Sequence, residues 1–130
     1  MSFENNGKIV SFIAYESLAA DQYRVMVLQA ANYVRRPDAA TDIPVGILQN
    51  APAVGEAALV ALIGGGGISK VVLGGTLGAG ALVACEYVGA ADAGKVQAYA
   101  TTQYCVGQLL EGGNEDDIAA CLLTPWTVHV

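Results

Sequence analysis

Few residues of this sequence have the type and spacing that catalysis requires. His129 is the single histidine of the 130-residue chain and stands next to its last residue. Neither a Ser-His-Asp triad nor a histidine-based metal site therefore has the partners it needs. Ser11, Ser17 and Ser69 have no base close to them in the sequence. We predict no catalytic residues and no enzymatic activity.

Two further segments have a composition found in ligand-binding loops but lack the spacing that binding requires. Residues 115–117 are acidic, but their spacing is not that of an EF-hand loop, which favours a solvated turn. Four glycines at 64–67 precede Lys70. A phosphate-binding loop instead places Gly-Lys-Ser/Thr at the start of a helix, whereas Lys70 stands in a β-like run. We expect no metal and no cofactor.

Charge and hydropathy exclude two classes of partner. The net charge is −6, with 12 acidic against 6 basic side chains, so the basic footprint of a nucleic-acid-binding protein is missing. Residues 57–85 are apolar enough to suggest a membrane helix, but residues 64–67 and Lys70 argue against one. The first six residues have no apolar signal-peptide core. We expect no nucleic-acid partner and no membrane partner.

The three cysteines give no sign of a disulfide framework. Cys85, Cys105 and Cys121 are odd in number, and no two of them form a Cys-x-x-Cys pair. This usage predicts free, buried thiols in an intracellular chain.

Short apolar runs separated by turn residues predict an all-β fold, either a small β-sandwich or a barrel. No segment sustains the 3.6-residue apolar period of an amphipathic helix, although a short helix is an alternative for residues 57–63. Residues 35–38 are expected to form a turn or loop because Pro37 lacks a backbone donor. The predicted strands are residues 8–13, 24–29, 45–48, 57–63, 68–73, 82–87, 95–101, 106–110 and 118–123.

The two halves of the chain resemble each other. Val-Gly-Ile-Leu at 45–48 matches Val-Gly-Gln-Leu at 106–109. An acid, Glu56 or Asp117, follows each valine after eleven residues and precedes an apolar run. The shared spacing predicts a strand–turn–strand unit that is used twice. Two such units can close on each other and bury both apolar faces.

The repeated unit gives a role to two kinds of residue. Gly46 and Gly107 occupy the same position in the two units, where the absence of a side chain lets strands cross closely or bend at a barrel corner. Glu56 and Asp117 are each expected to lie solvated at the end of a turn.

The predicted organisation is an extended N-terminal arm at 1–14, a β domain at 15–124 and a C-terminal tail at 125–130. Within the β domain the pseudo-repeats cover about residues 18–63 and 77–123. Aromatic side chains outside the core strands anchor interfaces or pack in the core, and both alternatives stay open here. An N-terminal strand could add to the sheet edge of a neighbour. The candidate interface residues are Phe3, Ile9, Phe12, Tyr15, Arg35, Arg36 and Trp126.

Several phrases together resemble the head decoration, or capsid cement, proteins of tailed bacteriophages. They are LQNAPAVGE (48–56), GISKV (67–71), LGAGALV (77–83), DAGKV (92–96) and VGQLLE (106–111). Each phrase is short and rich in small residues, and their order carries the resemblance. The chain departs from the family pattern at residues 87–91, where a loop is longer, and at the tail 125–130.

The resemblance implies a small β-rich protein without enzymatic activity that binds the outer surface of a viral head and braces neighbouring capsomers. The implied partners are the major capsid protein and further copies of the chain, as a homotrimer. The implied location is the capsid exterior of a virion assembled in the host cytoplasm. Many weak contacts would gain from multivalency.

Three alternatives to this function stay open. The chain could be a head-fibre base or another virion accessory protein. It could be a free carbohydrate-binding β module that uses exposed tyrosines. It could also be an enzyme subunit whose catalytic residues lie on a partner.

Overall fold

The computed structural model describes residues 8–89, 91–100 and 103–124. Within these residues the regular structure is β-sheet with a single 3₁₀ turn at Ile63–Gly65, so the all-β prediction is confirmed. No helix in this part of the chain is long and apolar enough to cross a membrane. The strands are β1 (Ile9–Ala14), β2 (Val25–Ala30), β3 (Tyr33–Arg35), β4 (Gly46–Leu48), β5 (Ala57–Leu62), β6 (Ile68–Val72), β7 (Leu82–Cys85), β8 (Val96–Ala98), β9 (Cys105–Leu109) and β10 (Ile118–Leu123).

Strands β1 to β5 form a closed barrel, called here the first barrel. Its strand order is β1-β3-β2-β4-β5, and β5 closes it by pairing with β1. The β1–β3 pair is parallel, and the other pairs are antiparallel. Closure leaves this barrel without a free edge strand.

Strands β6 to β10 form a second sheet with the order β6-β10-β9-β7-β8. Its ends are joined by an isolated parallel bridge between Leu73 and Val96, where the Gly74 N–H donates to the Val96 carbonyl at 2.7 Å. In the first barrel the Tyr15 N–H donates to the Val34 carbonyl at 2.9 Å in the equivalent place. The second sheet therefore curls back on itself in the same way as the first barrel.

The strand register is also the same in the two halves. Gly46 faces Leu62 across β4 and β5, and Gly107 faces Leu123 across β9 and β10. The equivalence extends to β1 and β6, which pair with β5 and β10 in matching register. The repeating unit is thus a five-stranded sheet that begins with the N-terminal strand of each half, ahead of the boundaries that the sequence comparison gives.

The inward faces of the two halves carry matching apolar side chains, because alternate strand residues point to the same side. Burial of each large side chain contributes roughly 1.5–3 kcal/mol to folding. The core of the first barrel is Ala14, Leu18, Met26, Val34, Leu48, Ala58 and Val60. The equivalent residues of the second sheet are Leu73, Leu77, Val83, Val96, Leu109, Ala119 and Cys121.

One face of the first barrel packs against the second sheet, so the two halves share a core. The outward-pointing Val25, Ile47 and Ala61 are buried and belong to the same apolar cluster as the interior of the second sheet. The Val25 N–H donates to the Gly94 carbonyl at 2.7 Å across this junction. Gly94 has φ +89°, and a Cβ there would lie 2.8 Å from the Val25 carbonyl oxygen, so a side chain would disrupt the junction.

Two expectations from the sequence need correction. The extended arm does not include residues 9–14, which form β1 inside the barrel wall between β5 and β3; residues 1–7 lie outside the described residues. The loop predicted from residue 35 begins later, because Tyr33–Arg35 forms β3. A three-residue strand is too short to show alternation.

Candidate functional site

The three thiols are free and buried, as the sequence predicted. Burial raises the pKa of Cys121 to about 12. Burial, with the nearby charges of Asp42 and Glu86, raises the pKa of Cys85 to about 12 as well. A thiol with such a pKa is protonated at neutral pH and is a poor nucleophile. Among the described residues, no three or more His, Cys, Asp or Glu side chains are grouped to hold a metal ion.

The two arginines predicted at an interface make ion pairs within the chain. The Arg36 guanidinium donates to Glu16 Oε1 at 3.1 Å, and the Arg36 backbone N–H donates to Glu16 Oε2 at 3.0 Å. Burial opposes ionisation of Glu16, but these hydrogen bonds and the Arg36 charge hold its pKa below the usual range. Arg35 lies 3.6 Å from Asp42 and 3.8 Å from Asp38. Both guanidinium groups are partly buried, and their ion pairs hold the loop after β3.

A second arginine contact ties the two halves together. Arg24 donates to the backbone carbonyls of Ala91 at 2.8 Å and Ala93 at 3.3 Å, and it pairs with Asp21 at 3.4 Å. Asp21 is almost fully buried, and burial raises its pKa despite the charges of Arg36 and Arg24. The position of Arg24 in a predicted strand gave no hint of this role, because its acceptors are far along the chain.

A buried lysine, Lys95, pairs with two acidic side chains in the second half of the chain. Lys95 Nζ lies 2.7 Å from Asp92 and 2.6 Å from Asp116, and these contacts raise the pKa of Lys95. The nearby Glu86 is buried, and its Oε1 accepts no hydrogen bond from the described residues. Burial, reinforced by the charge of Asp92, raises the pKa of Glu86.

Five of the seven predicted interface residues lie among the residues that the structure describes. Ile9 and Tyr15 are exposed, but they flank opposite ends of β1. Phe12 points inward, is partly buried and packs against the core of the first barrel. Phe3 and Trp126 lie outside the described residues.

Two apolar clefts open on the first barrel. The smaller cleft, of about 420 Å³, lies between Tyr15, Tyr33 and Val54. The larger, of about 670 Å³, is called here the β2–β5 cleft. Its apolar wall includes Leu28 and Ile43, and its lining residues are Val27, Leu28, Arg35, Thr41, Asp42, Ile43, Pro44, Val45, Leu62 and Gly64.

A further apolar surface lies on the second sheet, where Leu82, Gln108, Leu122 and Ile68 are neighbours on β7, β9, β10 and β6. This outer row corresponds to Val25, Ile47, Ala61 and Ile9 on the first barrel. The first three of those are buried by the second sheet, whereas Leu82 is 51% and Ile68 65% exposed. The Gln108 side chain donates to the Gly80 carbonyl at 3.0 Å along this row. Alignment of outward-facing positions in the two repeats could have revealed the outer row.

The fold is shared with a solved structure. The chain superposes on the head fibre gp8.5 N base of bacteriophage phi29 with a TM-score of 0.66. The match covers 94% of this chain and 98% of that chain, with 14% sequence identity. No protein-family model matches the sequence. No curated protein matches it either.

Proposed function

We propose that this chain is an accessory structural protein of a bacteriophage head. The observation that carries the proposal is the shared fold with a head fibre base over nearly the whole length of both chains. The order of the decoration-protein phrases in the sequence supports the same class independently. The buried thiols are protonated and several carboxylates are ion-paired, which fits a protein that acts by binding through its surface.

The leading specific role is decoration of the capsid exterior, where the chain binds the major capsid protein and braces neighbouring capsomers. Net charge supports an exterior position, because a chain of charge −6 is repelled by packaged DNA. The second candidate role is the base of a head fibre, which the shared fold favours directly. The two roles differ in their effect on the capsid. A cement protein stabilises the shell, whereas a fibre base needs only to bind to it.

Self-association as a homotrimer is part of this proposal, and we assign the contact between copies to the outer row. In the first barrel, three of the four equivalent residues are covered by another sheet of the same chain. The exposed leucines of the outer row therefore suit a sheet of a second copy. Apolar residues at the centre of an interface contribute most of its binding energy.

The test of capsid binding uses heads assembled without this protein from the major capsid protein of the same genome. Purified chain is added, and its binding is measured by co-sedimentation. The thermal disruption temperature of the heads is then recorded. Binding that raises this temperature supports decoration, and binding that leaves it unchanged supports a fibre base. If the chain does not co-sediment with heads at any concentration but binds to a glycan array, both roles are wrong and the carbohydrate-binding alternative is supported.

The test of self-association uses Leu82→Asp in the outer row and Leu59→Asp as its control. Leu59 is also an exposed strand leucine, at 40% exposure, but it lies outside the row. Light scattering should show that Leu82→Asp loses the wild-type oligomer and that Leu59→Asp keeps it. If the wild-type chain is a monomer at high concentration, the homotrimer proposal is wrong. If the two variants behave alike, the outer row is not the contact between copies.

A further inference from the structure

The two halves of the chain pack on each other head to tail. Val25, Ile47 and Ala61, which hold outer-row positions of the first barrel, are buried in one apolar cluster with Val71 and Val83 of the second sheet. Among the described residues, that cluster includes none from the outer row of the second sheet. The contact therefore joins an outer row to a different surface of the other half, and the outer row of the second sheet stays exposed.

A ring of copies has the same requirement. A single patch can meet itself only across a two-fold axis, whereas a three-fold ring joins two different surfaces of each chain. A homotrimer that uses the outer row therefore needs a second surface that is complementary to the row. Because the row presents leucine and isoleucine side chains, an apolar recess is the surface that complements it.

The β2–β5 cleft is a recess of this kind on the first barrel. Leu28 and Ile43 belong to its wall, and each is about half exposed, so apolar surface is uncovered there. Its volume of about 670 Å³ exceeds that of one aliphatic side chain and lies within the range of binding sites. Exposed apolar surface with a polar rim marks an interaction site.

The charges beside the two surfaces are complementary. Lys70 shares the outward face of β6 with Ile68, and its ammonium has no ion-pair partner among the described residues. At the rim of the cleft, Asp42 and Asp38 lie 3.6 and 3.8 Å from Arg35, so the rim carries a net negative charge. Opposite charges at the edges of an interface favour the correct partner and fix its register.

We propose that the outer row of one copy binds in the β2–β5 cleft of the next copy, so that one head-to-tail contact is repeated around the homotrimer. Apolar side chains of the row pack on the wall of the cleft, and Lys70 lies against its acidic rim. This inference rests on the proposed self-association and adds the surface that the outer row meets. Binding to the phage head is tested separately.

The experiment mixes two full-length variants that each lack one of the two surfaces. Leu82→Asp places a charge in the outer row, and Ile43→Asp places one in the cleft. Leu59→Asp is the matched control, because Leu59 is an exposed leucine outside both surfaces. Light scattering measures the mass of each variant alone and of an equimolar mixture of Leu82→Asp and Ile43→Asp.

Leu82→Asp and Ile43→Asp should each weaken self-association by at least about thirtyfold, as expected for a residue at the centre of an interface. Leu59→Asp should associate like the wild type. The mixture should form a complex of one chain of each kind, because the intact row of Ile43→Asp binds the intact cleft of Leu82→Asp. That complex cannot grow, since both of its remaining surfaces are altered.

The outcomes separate this inference from the proposal on which it rests. If the wild type is a monomer, self-association is wrong and so is this inference. If the wild type associates and Leu82→Asp does not, but Ile43→Asp associates like the wild type, the outer row remains the contact and the cleft is not its partner. A mixture that stays monomeric also overturns the pairing of row and cleft.

A reversal of charge tests the same contact without changing the apolar surfaces. Lys70→Glu should weaken self-association several-fold, because it brings like charges together across the contact, and addition of Asp38→Lys to the same chain should restore it. The Asp38 side chain is 74% exposed, so its replacement should leave the fold intact. If Asp38→Lys does not restore association, Lys70 does not lie against the rim and the proposal is wrong.

Discussion

Gly46 faces the carbonyl oxygen of Ala61 across β4 and β5 so closely that a Cβ would overlap it. Gly107 has the same relation to the carbonyl oxygen of Leu122 across β9 and β10. The two glycines are therefore required for the same steric reason in both halves. The Val-Gly-x-Leu sequence occurs twice because the backbone packs equally closely at its glycine in both halves.

This relation predicts the cost of adding one methyl group. Gly46→Ala and Gly107→Ala should each lower the free energy of unfolding by ~1–3 kcal/mol, because the new Cβ meets backbone that cannot move aside easily. Gly75→Ala is the control, since a Cβ there meets nothing within 4 Å. It should change the stability by less than ~0.5 kcal/mol in urea unfolding. Equal midpoints for all three variants would contradict the close approach.

The buried ammonium of Lys95 should contribute more to the free energy of unfolding than an exposed ammonium does. Lys95→Met removes the contacts to Asp92 and Asp116 and should lower the free energy of unfolding by ~1–3 kcal/mol. Lys70→Met is the control, because Lys70 is exposed and lies 5.7 Å from the ring centroid of Tyr23. Its loss should stay below ~1 kcal/mol. A Lys95→Met protein as stable as wild type would show that the two contacts contribute nothing.

Glu86 predicts a pH dependence of stability with a defined sign. Burial raises the pKa of Glu86 in the folded chain, so folding favours its neutral form. Its contribution is fully present below the unfolded-state pKa and is lost as the pH rises through the raised folded-state pKa. Glu86→Gln keeps the shape without the charge. It should be more stable than wild type by ~1 kcal/mol at neutral pH.

The same pair of proteins gives the test of that sign. The stability difference between Glu86→Gln and wild type should vanish below about pH 4, where Glu86 is protonated in both states. Asp21 also has a raised pKa, but it is present in both proteins and cancels in the difference. Urea unfolding at a series of pH values measures the difference. An advantage of Glu86→Gln that grows toward acid pH would have the opposite sign and refute the assignment.

The thiols of Cys85 and Cys121 should be inert in the native chain. A pKa of about 12 leaves about a thousand-fold less thiolate than an exposed cysteine has at pH 8. Alkylation of Cys85 and Cys121 should therefore be about a thousand-fold slower in the native protein than in the urea-unfolded protein. Mass spectrometry of the time course gives the rates, and similar rates in the two states would contradict the burial.

Much of the fold could be predicted from local pattern. Short apolar runs between turn residues correctly placed strands such as β5 and β10, because a continuous apolar run of about six residues is typical of a buried strand. The spacing of Gly46 and Gly107 identified equivalent positions of two similar sheets. The strand β3 was missed, because three residues carry no period and its pairing with β1 is a contact between distant segments.

The candidate surfaces depended more on tertiary structure. Composition and spacing alone determined the all-β class, the duplicated phrase and the set of reactive groups available. Packing of one half on the other decided that Val25 is buried while its equivalent Leu82 is exposed. Packing within the first barrel turned Phe12 inward. The physical reason is that alternation shows which residues share a face of a strand, whereas the partner that covers that face is chosen by long-range contacts.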